Sequence, residues 1–84
     1  MSKAIAKLIE TVPDLANADP LSAEVQAWLD QAYRTLWGIR SGEARVLKSH
    51  AQQLYFPATR KTASKEIVET LRRVDRKISG RSPE

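Results

Sequence analysis

The chain has no cysteine. That excludes a disulfide framework, a cysteine-ligated zinc site and thiol chemistry. It has one histidine, too few for a multi-histidine metal centre. Its glycines build no phosphate-cradling loop. Gly38 and Gly42 bracket a short stretch, but it lacks a third glycine, and Glu43 stands directly after Gly42 where a phosphate loop needs Lys-Ser/Thr. No apolar run approaches the ~18 residues of a membrane span. The segment from Met1 to Val12 has no signal-peptide core either, because Glu10 interrupts it. A cytoplasmic protein, not membrane-bound, is the expectation.

What is present suits a folded globule. The chain has 84 residues, of which 42% are hydrophobic, enough for one small domain and too few for two. Residues 1–80 are expected to form that domain, with 81–84 as a frayed tail and Met1 as a natural start. The formal net charge is +4, unevenly placed. Acidic side chains slightly outnumber basic ones up to Gly42, and basic ones dominate from Glu43 onward.

The β-branched residues do not alternate with polar ones, so no strand is predicted. Helix periodicity predicts four helical segments instead. The first runs from Lys3 to Val12, with Ile5, Leu8, Ile9 and Val12 on one face and Pro13 as its stop. It either packs as a fourth helix or docks on a partner or membrane surface. The second starts at Pro20 with Asp19 as N-cap and carries a broad apolar arc from Leu21 to Ile39. It ends near Ser41-Gly42, where Gly42 serves as a left-handed C-cap. The third runs from Glu43 to Leu54, with Tyr55 and Phe56 plugging the bundle end before Pro57. Residues 57–62 form a basic loop. The fourth runs from Ala63 to Ser79, with Ser64 as N-cap, an Ile67/Leu71/Val74/Ile78 stripe and Gly80 beyond its end. The fold class is therefore all-α, a small three- to four-helix bundle with short connections. Its core is small, and the narrow stripe of the last helix could pair with a second copy, so a homodimer is one expectation.

Three features bear on function. His50 sits between Val46 and Leu54 on an apolar face. Only Glu43 can approach it, which matches no hydrolase or metal template. The carboxylates are scattered. No catalytic residue, metal site or cofactor is predicted, and the chain is expected not to be an enzyme.

Tyr33 and Trp37 lie four apart at the rim of the second helix's arc. If left uncovered they are a partner-binding patch, with Arg34 and Arg40 as its polar rim; if covered they are core. The C-terminal half supplies Arg60, Lys61, Lys65, Arg72, Arg73 and Arg76, suited to nucleic acid or an acidic partner. Glu69 interrupts that line and is placed to pair with Arg73 and Lys65. The connector from Leu54 to Ala63 would be too long for a helix-turn-helix. The last helix also carries no Asn or Gln to read adenine edges. The leading expectation is a small binding protein, a regulator or inhibitor acting on an unidentified protein partner. The alternative is a nucleic-acid-binding protein using the basic C-terminal segment.

Overall fold

The computed structural model describes residues 3–79. It contains four helices and, among those residues, no strand: α1 (Lys3–Glu10), α2 (Ala23–Ile39), α3 (Ser41–Gln53) and α4 (Pro57–Ser79). The predicted roles of Gly80 and of the tail at 81–84 lie outside the described residues. The helices form a ring in which α1 packs on α2 and α4, and α3 packs on α2 and α4. Ile5 and Leu8 of α1, five residues of α2 from Val25 to Leu36, Ala44 and Leu47 of α3, and Ala63, Ile67, Leu71 and Val74 of α4 close over one core. The all-α bundle is therefore the observed architecture, with all four helices in it. α1 is a full member: Ile5 is fully buried, and the buried Trp28 indole Nε1 donates to the Leu8 carbonyl at 3.2 Å.

The start of α1 at Lys3 and the end of α4 at Ser79 are as expected, and the boundaries between them shift. Asp19 caps a turn and not a helix, its carboxylate accepting from the Leu21 N–H at 2.9 Å. The N-cap of α2 is Ser22, whose hydroxyl accepts from the Val25 N–H at 3.3 Å. Leu21 thus falls outside the helix and is 71% exposed. In its place Leu15, from the α1–α2 connector, enters the core.

The α2–α3 junction needs no glycine cap. One extended residue, Arg40 (φ −146°, ψ 96°), breaks the helix. Its N–H closes α2 on the Leu36 carbonyl at 2.7 Å, and its own carbonyl accepts from Glu43 and Ala44 to open α3. Gly42 lies inside the first turn of α3, and no glycine among the described residues has positive φ.

The largest correction concerns Pro57. A proline stops a helix that precedes it, but it also suits the first position of one that follows. Here it opens α4, so the expected basic loop at 57–62 is helix and the connector shrinks to residues 54–56. Ser64 is then a mid-helix residue, its hydroxyl bonded to the Lys61 carbonyl at 2.8 Å. Leu54 fills the bundle end, whereas Phe56 is 57% exposed and Tyr55 lies outside against α2.

α3 and α4 run antiparallel, pinned at both ends. Arg60 Nε donates to the Leu54 carbonyl at 2.7 Å. At the far end Arg73 grips the Glu43 carboxylate with two bonds, at 3.0 and 2.8 Å. That geometry is a helical hairpin packed along its length. A DNA-binding helix-turn-helix instead crosses its helices at roughly 90–120°. The short connector alone does not make one.

Candidate functional site

Two faces of the bundle carry the predicted side chains, and the antiparallel register decides their surroundings. On α2, Gln26, Tyr33 and Trp37 turn toward α3. Because the chain reverses at Arg40, residues nearly equidistant from it on the two helices meet. Gln26 Nε2 donates to the Tyr55 hydroxyl at 2.6 Å. Lys48 Nζ stands 5.3 Å from the Tyr33 ring centre, and the Arg45 guanidinium 5.8 Å from that of Trp37. Both are cation–π distances. The Tyr33 and Trp37 rings stack on each other, with centroids 6.0 Å apart and planes inclined by 26°. Beside Tyr33 is a cleft of about 230 Å³ lined also by Leu29, Leu47, Ala51, Lys48 and Tyr55.

The two alternatives for this aromatic pair divide between its members. Tyr33 is half-buried against the core, and Trp37 is 47% exposed. Arg34 is paired with Asp30 at 3.1 Å on the surface, and Arg40 is exposed in the interhelical break. Arg45 and Lys48 were not among the predicted residues. Their signal was in the sequence, but it becomes readable only once the reversal is set at Arg40.

The second face is the outside of α4, where the six predicted cations do not act together. Arg60 caps the end of α3, and Arg73 is held by Glu43. Glu43, and not Glu69, is therefore the carboxylate that pairs with Arg73. The hydrogen bonds from Arg73 hold the Glu43 carboxyl below the ordinary glutamate value against the opposing effect of partial burial, and the Arg73 charge, with Lys77 and Arg40, adds to the lowering. The other four cations, Lys61, Lys65, Arg72 and Arg76, are exposed. At ~100° per residue they fall within an arc of about 60° opposite the buried stripe. Among the described residues no ion pair engages Lys61, Lys65 or Arg72, and Arg76 meets Glu69 only at 4.0 Å. The expected pairing of Glu69 with Arg73 and Lys65 is replaced by this long contact.

His50 is half-buried on α3. Glu43, its one predicted carboxylate neighbour, is committed to Arg73. Among the described residues no three His, Cys, Asp or Glu side chains gather as metal ligands, and no helix is long and apolar enough to cross a membrane. A groove of about 610 Å³ between the α1–α2 connector and α4 has Val12, Pro13, Leu15 and Val68 in its wall and charges of both signs at its edge.

Fold and faces together define a small helical bundle with one aromatic–cationic face and one cationic helix. No family model, curated protein or solved structure matches this chain.

Proposed function

We propose that this chain is a small non-enzymatic binding protein, a regulator or inhibitor that acts by contact with a protein partner through the α2–α3 face. The observation that carries this is Trp37, half-exposed yet held in place by its stack on Tyr33 and by Arg45. A ring left half-exposed contributes less to folding than a buried one. Held rigid, it loses little side-chain freedom when a partner covers it. Tryptophan, tyrosine and arginine are also the side chains that dominate binding hot spots. Arg34, Arg40, Arg45 and Lys48 supply a cationic rim that steers and orients an acidic-rimmed partner. The reading keeps the expectation of a cytoplasmic protein. It needs no second copy of the chain, because the α4 stripe offered for pairing is buried inside one copy at Ile67, Leu71 and Val74.

The test starts with capture from nuclease-treated extract of the source cells, followed by calorimetric titration of the purified partner. Trp37→Ala is expected to weaken that binary affinity at least tenfold while its unfolding free energy stays within about 1 kcal/mol of the parent. A variant that binds equally well, or one that unfolds, overturns the assignment of Trp37 as an anchor.

A further inference from the structure

We infer that the outer face of α4 is a separate site for the phosphate backbone of a nucleic-acid duplex, bound without regard to base sequence. Lys61, Lys65, Arg72 and Arg76 form its contact line. From the first to the last the line extends about 22 Å along the helix axis, at 1.5 Å per residue. All four side chains are exposed, and the stripe that holds α4 in the bundle lies on the opposite side. The line can therefore meet a partner without disturbing the core.

Two observations choose the class of partner. First, the line itself carries no large exposed apolar side chain, although Lys65 and Arg72 also border the groove walled by Val12, Pro13, Leu15 and Val68. Leu21, Trp37, Ile39, Val46, Tyr55 and Phe56 are the exposed large apolar side chains among the described residues, and none is on α4. A protein interface lacking such an anchor would rest on exposed ion pairs, each contributing roughly 0–1 kcal/mol. A duplex differs physically. It carries one charge per ~1.7 Å and a condensed counterion layer, and each phosphate neutralised releases counterions. A polyanion of that density draws substantial affinity from charge alone. Second, the outward positions of α4 present no Asn or Gln to read adenine edges, and Arg72 and Arg76 would read guanine only from within a groove. The α3–α4 hairpin also does not thrust an isolated helix into a groove. Contact is therefore with phosphates and not with bases.

Carboxylates moderate the site. Glu69 flanks the line and reaches Arg76 at 4.0 Å, Glu66 lies further round the helix, and Asp75 borders the side nearer α1. Removing Glu69 should therefore strengthen binding.

The experiment is fluorescence anisotropy of labelled DNA and RNA duplexes of about 20 base pairs, titrated with the whole chain from ~25 to ~200 mM salt. For either duplex, log affinity against log salt is expected to have a slope of about −3 to −4, matching three to four neutralised phosphates. The two duplexes show whether DNA or RNA is preferred. The double variant Lys65→Gln/Arg72→Gln is expected to bind at least tenfold more weakly and to reduce the slope by about 2. Glu69→Gln is expected to bind more tightly. Lys3→Gln/Lys7→Gln removes the same charge from α1 and is expected to change affinity less than threefold. Circular dichroism confirms that each variant remains helical.

No binding to either duplex at the lowest salt overturns the proposal. Equal weakening by the α1 variant also overturns it, because net charge alone would then explain the binding. Binding to polyglutamate as tight as to duplex overturns it in favour of an acidic protein, since an extended polyglutamate chain has only about half the linear charge density.

Discussion

At the scale of the residue, chemical type predicts less than the partner each side chain finds. Arg60, Arg73 and Arg76 look equivalent in the sequence, yet one caps a helix, one is clamped by a carboxylate and one is exposed. The Glu43–Arg73 pair gives a pH-dependent prediction. Glu43 is mostly covered, with 15% of its side chain exposed against 36% for Arg73, and its bidentate geometry is of the stronger kind. Discounted for solvent screening, the pair is expected to stabilise the fold by about 1 kcal/mol near neutral pH. The folded-state value of Glu43 lies below its unfolded value. The stabilisation is therefore complete above the ordinary glutamate range and is lost as pH falls through the depressed value. Urea unfolding of the parent and of Glu43→Gln should differ by that amount at neutral pH and converge under acid. A gap that persists at low pH would mean the loss comes from packing and not from charge.

At the scale of the element, apolar periodicity located every helix and punctuation residues misplaced their ends. Proline and glycine each carry two meanings, and the neighbours decide between them. Pro57 begins α4 because Leu54 is already committed to the core and Arg60 returns to bond its carbonyl. Gly42 is not a cap because Arg40 makes the break by itself in an extended conformation. The glycine is thus replaceable. A Cβ built at Gly42 meets nothing within 4 Å, and its φ is not positive. Gly42→Ala is therefore expected to stabilise the chain by about 0.5 kcal/mol through helix propensity and a less mobile unfolded state, measured by thermal or urea unfolding. A left-handed cap at this position would instead lose stability on the same substitution.

At the scale of the whole molecule, every helix depends on two neighbours, so no part is an optional arm. α1 is only eight residues long and would not hold as a helix alone. It is ordered because Ile5 and Leu8 complete the core and because it supplies the carbonyl that satisfies the Trp28 indole. Ile5→Ala is expected to cost roughly 2–4 kcal/mol, a large share of the ~5–10 kcal/mol such a domain possesses. Denaturant unfolding would register it as a clear fall in midpoint. A midpoint unchanged by Ile5→Ala would return α1 to the role of a loosely attached docking segment.

The four apolar stripes, the all-α class and the uneven charge were legible in the sequence, because each depends on side chains a few positions apart along one helix. Tertiary structure decided which charges remain available and which aromatics remain outside. Those outcomes depend on where the chain reverses, at Arg40 and again at residues 54–56. The first reversal sets Arg45 and Lys48 over the Tyr33–Trp37 pair. The second removes Arg60 and Arg73 from the basic segment and leaves Lys61, Lys65, Arg72 and Arg76 on one line. A shift of one residue at either turn rotates a helix by about 100° and reassigns every partner, so no count of charges along the chain could have settled them.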